Sequence, residues 1–153
     1  MRKAVESDIP TLIAIETATQ VAPWTEEIFQ QCFKAGYDCW VIDKDNQVIA
    51  FIMMSSVLTG ESHILDVCVD PHYQRRGYGR ELLGYAISQA KYKGMAMIYL
   101  EVRRSNDKAI RLYHQMEFVQ IGERKNYYPT TTGREDALVF AKDLSVTYLA
   151  GSQ

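Results

Sequence analysis

The fold of this chain is decided by one stretch, which reads Val67-Cys68-Val69-Asp70-Pro71-His72-Tyr73-Gln74-Arg75-Arg76-Gly77-Tyr78-Gly79-Arg80. Its apolar beginning predicts the end of a strand, and the residues from Tyr78 onward predict the start of a helix. Between the two, Gly77 and Gly79 let the backbone come close to a ligand. The unpaired N–H groups of a first helical turn point at the same place and favour an anion. The stretch therefore predicts a turn that binds phosphate.

Two common nucleotide-binding motifs do not fit this turn. A Walker loop needs a Lys-Ser or Lys-Thr pair after its glycines, and none follows here. A dinucleotide fingerprint needs a third glycine three residues after Gly79, where Leu82 stands. From the motif alone, a basic surface turn without a ligand remains an alternative.

The composition indicates a single globular domain. The 153 residues are 47% apolar and 24% charged, which suits a full core without disulfides or a metal. The net charge of −2 gives no reason to expect nucleic-acid binding, although positive charge is concentrated near the glycine turn. The N-terminus lacks an apolar signal region, and the longest apolar stretch, residues 48–58, is too short to span a bilayer. We expect a cytoplasmic protein without a membrane partner.

The cysteines and histidines give no sign of a metal site. Cys32, Cys39 and Cys68 form no C-x-x-C pair, and the three histidines are widely spaced. Neither zinc nor a disulfide framework is therefore expected. Cys68 stands inside the phosphate-binding stretch, but nothing in its sequence surroundings is expected to activate it, so we expect a buried, unreactive thiol.

The periodicity of apolar residues predicts a mixed α/β domain over residues 1–144. Helices are expected at residues 9–20, 26–35, 78–93 and 107–116, and strands at residues 39–42, 48–56, 62–69, 97–103, 118–127 and 136–144. The segment 128–135 is rich in Pro, Thr and Gly and long for a hairpin turn, so it is a candidate substrate loop. Residues 145–153 are expected to form a loose tail.

The turn from Gln74 to Gly79, after a strand that ends in Val-Asp-Pro, resembles the acetyl-coenzyme A loop of the GCN5-related N-acetyltransferases. Separated motifs make the resemblance more specific and are similar to the bacterial ribosomal-protein-alanine N-acetyltransferases of the RimI type. These motifs are Pro23-Trp24-Thr25-Glu26, Glu101-Val102-Arg103, Ser105-Asn106, Ala109-Ile110, Leu112-Tyr113, Asn126-Tyr127-Tyr128-Pro129 and Gly133-Arg134-Glu135-Asp136-Ala137. The similarity spans residues 1–144. It implies a central, mostly antiparallel sheet flanked by helices, and the use of acetyl-coenzyme A without a metal.

Two side chains are candidates for the proton transfers that acetylation of an amine requires. In the strand at residues 97–103, period two places Glu101 on the face opposite to Leu100 and Val102. Glu101 could accept a proton from an α-ammonium, whose pKa is about 8, while a solvated or arginine-paired carboxylate is the alternative. Tyr113 lies on the apolar stripe of the next helix, so it is either a packed core residue or a proton donor to the departing thiolate. The resemblance implies that Glu101 is the general base and Tyr113 the general acid.

The resemblance also implies which residues bind the coenzyme. The strand segment Val67, Cys68 and Val69 matches the part whose backbone engages the acetyl group and the pantetheine. Asn106 matches a residue that contacts the coenzyme beyond the pyrophosphate. The pyrophosphate loop itself matches Arg75, Arg76, Gly77, Tyr78, Gly79 and Arg80.

The acceptor implied by the resemblance is the α-amine of an N-terminal alanine on a ribosomal protein, the eighteenth of the small subunit. The substrate end of the resemblance comprises Tyr127, Tyr128, Glu135 and Asp136. Its two carboxylates could meet an arginine at the second position of the peptide, or they could belong to a solvated turn. Two other functions remain open, namely acetylation of small amines or lysine side chains, and non-catalytic binding of the coenzyme.

Two positions depart from the family pattern. Met116-Glu117-Phe118 stands where the family commonly has Leu-Gly-Phe, so Glu117 is expected at a helix-ending position that prefers glycine. Arg104 stands where a small residue is common, and it adds charge beside the strand that carries Glu101.

Overall fold

The computed structural model describes residues 1–145, and its helices and strands follow the predicted order after a short additional first strand. The helices are α1 (Ile9–Thr19), α2 (Glu26–Lys34), α3 (Tyr78–Tyr92) and α4 (Asp107–Gln115). The strands are β1 (Arg2–Lys3), β2 (Asp38–Lys44), β3 (Gln47–Val57), β4 (Glu61–Val69), β5 (Met97–Arg103), β6 (Val119–Pro129) and β7 (Arg134–Asp143). The predicted tail lies outside the described residues from position 146 onward.

The strands form one sheet in the order β1-β2-β3-β4-β5-β7-β6. Neighbouring strands are antiparallel except β4 and β5, which run parallel. This arrangement confirms the predicted α/β fold with a mostly antiparallel sheet. The sequence did not predict β1, because a strand of two residues is too short to show a period.

The two parallel strands separate halfway along their length. They pair from Glu61 with Met97 to Ile64 with Leu100, and the ladder between them ends there although both strands continue. The second half of β4 still pairs with β3 on its other side. Beyond Ile64, the edge of β4 that faces β5 is therefore unpaired, and an opening forms between the two strands. We call this the released edge of β4.

The two faces of the sheet bury different helices. Helices α3 and α4 cover one face, with a core that includes Leu82, Leu83, Ile98, Phe118 and Phe140. Helices α1 and α2 cover the other face, with a core that includes Leu12, Phe29, Phe51 and Met53. No helix in the described part of the chain is long and apolar enough to cross a membrane.

The predicted helix ends are present. Thr25 begins α2, where its side chain accepts a hydrogen bond of 3.3 Å from the N–H of Ile28. Three helices are followed by a residue with positive φ: 77° at Gly36, 80° at Gly94 and 67° at Glu117. Glu117 therefore occupies the glycine-type position that the sequence indicated, at a cost of roughly 1 kcal/mol relative to glycine.

The segment 128–135 is not the long loop that the sequence predicted. Both flanking strands run further than expected, and only residues 130–133 form the turn. A bulge explains the difference, because residues 125–127 of β6 face Asp136 alone. Within it, Asn126 has a φ of 50°, and its N–H donates to the Asp136 carboxylate at 2.9 Å. The bulge breaks the period-two pattern, so the sequence did not reveal strands of this length.

Candidate active site

Two clefts lie where β4 and β5 separate, and they share a wall. The large cleft has a volume of about 510 Å³ and is lined by the end of β4, the start of α3 and one face of α4. The small cleft has a volume of about 280 Å³ and is lined by the end of α1, by β4 and β5, and by the tip of the β6–β7 hairpin. The residues that line both are Gln20, Val67, Asn106 and Tyr113.

The predicted phosphate-binding turn lines the large cleft. Gly77 is the N-cap of α3, and its φ of 85° is a left-handed conformation that glycine adopts without strain. Since glycine has no side chain to cap the helix, the first N–H groups of α3 are available to an anion. Gly79 follows in the first helical turn and also lines the cleft. The geometry is that of an anion-binding helix start.

Positive charge reaches the large cleft from two elements. Arg75 and Arg80 line it from the turn, whereas Arg76 lies outside the lining with its guanidinium 5.3 Å from the centre of a tyrosine ring. Two of the three predicted arginines therefore face the cleft. Lys108 and Arg111 of α4 line it as well, and sequence analysis missed them. Their i, i+3 spacing puts both on one face of α4, and this was the signal available in the sequence.

The released edge of β4 forms the wall between the clefts. Val67, Cys68 and Val69 line the large cleft, where the sequence placed them, and Val67 also lines the small cleft. The carbonyl of Val69 already accepts a hydrogen bond of 3.0 Å from the side chain of Gln74. The other backbone groups along this edge are the ones that a ligand can use.

Cys68 is buried against acidic neighbours. Its Sγ atom lies 3.4 Å from Oε1 of Glu16 and 3.4 Å from Oδ1 of Asp66, and the side chain of Gln20 donates to it at 3.1 Å. Burial, together with the nearby carboxyl groups, raises the pKa of the Cys68 thiol well above its ordinary value. The thiol therefore stays protonated at neutral pH, which disfavours a nucleophilic role.

Glu101 faces the small cleft from β5 and is held on two sides. Its side chain is 12% exposed, with Nε2 of His63 3.3 Å from Oε1 and Nε of Arg124 2.7 Å from Oε2. The hydrogen bond with His63 and the charge of Arg124 hold the pKa of Glu101 below its usual range despite burial. The arginine pairing that the sequence left open is therefore present, and the carboxylate still lines the cleft.

Tyr113 is packed like a core residue and also lines both clefts. Tyr113 is 6% exposed. The centre of its ring lies 5.9 Å from the ring centre of Phe118 and 6.0 Å from that of Phe140. Burial raises the pKa of the Tyr113 phenol, so the hydroxyl keeps its proton at neutral pH. A protonated phenol at the shared wall can donate a proton to a leaving group in either cleft.

Asn106 also stands at this shared wall. Its Oδ1 atom accepts a hydrogen bond of 3.2 Å from the N–H of Ala109 and caps α4. The side chain that the sequence assigned to the coenzyme therefore also fixes the start of the helix that carries Tyr113.

The two predicted substrate tyrosines have different surroundings. Tyr128 lines the small cleft, and the guanidinium of Arg103 lies 4.6 Å from the centre of its ring. Burial raises the pKa of Tyr128 to about 12, so its hydroxyl is protonated. Tyr127 is 42% exposed and lies outside the cleft lining. Of these two tyrosines, only Tyr128 is placed to contact a ligand in the small cleft.

The two predicted substrate carboxylates have partners within the chain. Glu135 pairs with Arg103 at 3.1 Å and accepts a hydrogen bond of 3.0 Å from the Ser105 hydroxyl. Asp136 accepts from the backbone N–H of Asn126 in the bulge described above. Both carboxylates lie outside the lining of the small cleft, so an arginine of a peptide would have to displace internal contacts to reach them.

A buried acidic cluster, which sequence analysis missed, lies beside the small cleft. Glu16 is 2% exposed, and its Oε2 atom accepts a hydrogen bond of 2.9 Å from the N–H of Trp24. Asp66 is its neighbour, and the Asp66 Oδ2 atom is buried without a hydrogen-bond partner among the described residues. Burial and the nearby Glu16 carboxyl raise the pKa of Asp66 to about 9, so it holds a proton at neutral pH. With Cys68, these residues are the one potential metal-ligand set within residues 1–145.

The geometry agrees with a comparison against known protein families. The model of the Acetyltransferase (GNAT) family matches residues 9–118, which include the glycine turn, Glu101 and Tyr113. The chain belongs to this family, whose members are acetyltransferases that use acetyl-coenzyme A. The family resemblance inferred from the sequence is thereby confirmed.

Individual relatives agree with this assignment. The chain is 38% identical over 140 residues to the [ribosomal protein bS18]-alanine N-acetyltransferase of Escherichia coli strain K12, covering 92% of this chain and 94% of the relative. The crystal structure of the ribosomal-protein-S18-alanine N-acetyltransferase from Escherichia coli is similar with a TM-score of 0.89 and 36% identity, covering 95% of this chain and 93% of that one. A Salmonella typhimurium protein solved with its cofactor acetyl-coenzyme A shares the fold, with a TM-score of 0.81 at 19% identity over 99% of this chain and 97% of that one.

Proposed function

We propose that this protein transfers the acetyl group of acetyl-coenzyme A to the α-amine of the N-terminal alanine of ribosomal protein bS18, in the cytoplasm. The observation that carries the proposal is that Glu101 and Tyr113 line one small cleft that shares a wall with the large cleft. A proton acceptor and a proton donor thus face the place where an amine and a thioester would meet. The substrate in the names of the similar Escherichia coli proteins supports the choice of acceptor.

The large cleft fits the coenzyme by shape and by charge. The N–H groups after Gly77, with Arg75 and Arg80, would bind the pyrophosphate, because a helix start and guanidinium groups both favour phosphate. Lys108 and Arg111 supply further positive charge from the other side of the cleft. The released edge of β4 would hold the pantetheine arm and orient the thioester toward Tyr113.

The reaction that fits this geometry is direct attack by the amine on the thioester carbonyl. Glu101 would take a proton from the incoming ammonium, directly or through a water molecule, and Tyr113 would protonate the departing thiolate. A backbone N–H on the edge of β4 would stabilise the oxyanion of the tetrahedral intermediate, a contribution of about 3 kcal/mol for a well-placed donor. Because the amine attacks the thioester directly, no acyl-enzyme is needed. Cys68 keeps its proton and takes no part in the step.

The small cleft suits a cationic, readily deprotonated amine. It is lined by the carboxyl groups of Glu16 and Glu101, with Asp66 as a neutral acid, against the single guanidinium of Arg103. An α-ammonium has a pKa about 2.5 units below that of a lysine side chain, so its neutral fraction near pH 7.5 is more than a hundredfold larger. Because Glu101 is a weak base, this difference favours an N-terminal amine over lysine.

The proposal is tested with a single peptide that begins with Ala-Arg and carries one internal lysine. The peptide is incubated with the enzyme and acetyl-coenzyme A, and fragmentation in a mass spectrometer locates the acetyl group. We expect the acetyl group on the alanine nitrogen, with the matched peptide that carries a blocked N-terminus left unmodified. Acetylation of the lysine, or of a polyamine in preference to the peptide, would replace this proposal with a lysine or small-amine acetyltransferase.

A further inference from the structure

Glu101 lies between the small cleft and a third cavity on its other side. This cavity has a volume of about 290 Å³, and its lining includes Glu101, His63, Arg124 and Tyr99. His63 lines this cavity and not the small cleft, and its side chain is 39% exposed. The Oε1 atom of Glu101, 3.3 Å from Nε2 of His63, therefore connects the two spaces.

Acetylation of an ammonium group releases one proton per turnover. The ammonium loses two protons when it becomes an amide, and the thiolate of coenzyme A takes up one of them. If Tyr113 protonates the thiolate, it regains a proton from the nitrogen of the tetrahedral intermediate, and the other ammonium proton passes to Glu101 and must then leave the enzyme. Glu101 cannot store it for long, because His63 and Arg124 hold the pKa of this carboxyl below its usual range.

The two ion-pair partners of Glu101 differ in what they can do with this proton. Arg124 binds Oε2 at 2.7 Å, but a guanidinium has no acceptor site and remains charged. His63 can accept a proton at Nε2 in the neutral tautomer that carries its ring proton on Nδ1. The exposed His63 ring can then release the proton into the third cavity.

We infer that His63 is a positioning and proton-relay residue that carries the proton of the acceptor amine from Glu101 to solvent. The inference rests on the proposed role of Glu101. In the step, the proton leaves the ammonium nitrogen for the Glu101 carboxylate and then passes from Oε1 to Nε2 of the neutral imidazole. The imidazolium then gives its Nδ1 proton to water, and exchange of the remaining ring proton through solvent restores the Nδ1–H tautomer, whose free Nε2 can accept the next proton. No electrons move, and one proton leaves per acetyl group transferred.

The charged and titratable groups around His63 come from three strands. On its own strand, Glu61 lines the same cavity, and on β5 the neighbours are Tyr99 and Glu101. Arg124 reaches the cavity from β6, and the β3 residue paired with His63 is the uncharged Ser55. Among these groups, Glu101 is the one within ion-pair distance of the His63 ring.

The first test compares His63→Gln with wild type in steady-state kinetics. Glutamine can still hydrogen-bond to Glu101, but it cannot carry a proton. We expect kcat to fall by about tenfold, part of the total that proton transfer supplies, with both KM values within about twofold of wild type. The matched control is His114→Gln, which changes a histidine that lines none of the three cavities and should leave kcat unchanged.

The second test is chemical rescue of His63→Ala by added imidazole, for which the third cavity has room. Restoration of kcat, stronger as pH rises and the added imidazole becomes neutral, supports the relay. Free imidazole would not restore activity that was lost because of a purely structural role of His63. In a Glu101→Gln background, loss of His63 should cause no further decrease. All assays use whichever amine the wild-type enzyme acetylates, so the acceptor assignment can fail without affecting this inference. Unchanged kcat in His63→Gln, or no rescue by imidazole, would overturn it.

Discussion

Tyr113 and Glu101 both line the small cleft, but only Tyr113 also lines the large one. The separation follows from the elements that carry them, since Glu101 lies on β5 and Tyr113 on the helix that follows it. Tyr113 is therefore placed at the junction where the thiolate would leave, and Glu101 on the side from which an amine would enter. The two proposed proton transfers thus occur at different places, and they can be tested separately.

Tyr113→Phe should lower kcat by roughly 10² to 10⁴ and leave coenzyme binding unchanged, because only the phenolic proton is lost. Steady-state assays with a peptide acceptor would measure kcat, and a calorimetric titration with acetyl-coenzyme A would measure coenzyme binding. The matched control is Tyr85→Phe, since Tyr85 packs on Trp40 and lines neither cleft. If Tyr113→Phe is fully active, Tyr113 is a packing residue only. Circular dichroism would show whether the fold is retained.

Glu101→Gln should lower kcat by about 10² to 10⁴ at neutral pH while acetyl-coenzyme A still binds. Because the pKa of Glu101 is held below its usual range, the carboxylate is ionised throughout neutral pH. For wild type, kcat/KM for the peptide should therefore rise with pH up to about 8, following the amine. Glu123→Gln is the control, since Glu123 pairs with Lys125 and Arg104 outside the clefts. Equal activity of Glu101→Gln and wild type at every pH would exclude Glu101 as the base.

Gly77→Ala should weaken binding of acetyl-coenzyme A by about tenfold, because an alanine is strained at a φ of 85° and the turn would have to shift. Gly36→Ala is the matched control, since Gly36 also has a positive φ of 77° but follows α2, outside the cleft lining. Both variants should lose roughly 1 kcal/mol of stability. Calorimetry should show loss of affinity only in Gly77→Ala. Equal affinity in the two variants would mean that the pyrophosphate binds elsewhere.

Asp66→Asn should stabilise the folded protein at high pH. The pKa of Asp66 is raised to about 9 in the folded chain, whereas it is about 4 in the unfolded chain. Below about pH 4 Asp66 is protonated in both states and its pKa shift does not reduce the stability of wild type. As pH rises from 4 toward 9, the unfolded chain loses this proton first, and the stability of wild type falls. We expect equal stability of variant and wild type near pH 4, and an advantage for the variant that grows by roughly 1.4 kcal/mol per pH unit above that, to several kcal/mol near pH 8. Chemical denaturation at both pH values measures this difference.

Asp38→Asn provides the opposite control for this experiment. The Asp38 carboxylate is buried but pairs with Lys93 and Lys3, so the same chemical change should lower stability. A lower stability of Asp66→Asn at high pH would show that the Asp66 carboxyl has a favourable partner there.

The sequence predicted those parts of the structure that depend on local patterns. The glycine turn, the strand that carries Glu101 and the glycine-type position of Glu117 each follow from a short-range rule. The hairpin at residues 128–135 was predicted wrongly, because its strand pairing passes through a bulge around Asn126 that has no clear sequence signal.

The surroundings of the site depend on contacts between distant segments, which a single sequence does not reveal. Glu16 and Asp66 are 50 positions apart and become neighbours only when α1 packs against β4. His63 and Glu101 meet because β4 and β5 run parallel and in register at this point. The sequence could therefore indicate Glu101 as a candidate base, but not the partners that set its pKa.

The central claim, that the small cleft accepts an N-terminal α-amine, is tested most directly by one ratio of kcat/KM values. The two substrates are an Ala-Arg peptide with its lysines blocked and the same peptide with a free lysine and a blocked N-terminus. Our account predicts a ratio of about a hundred or more in favour of the N-terminal amine near pH 7.5, from the difference in amine pKa. A ratio near one, or one that favours lysine, would contradict it.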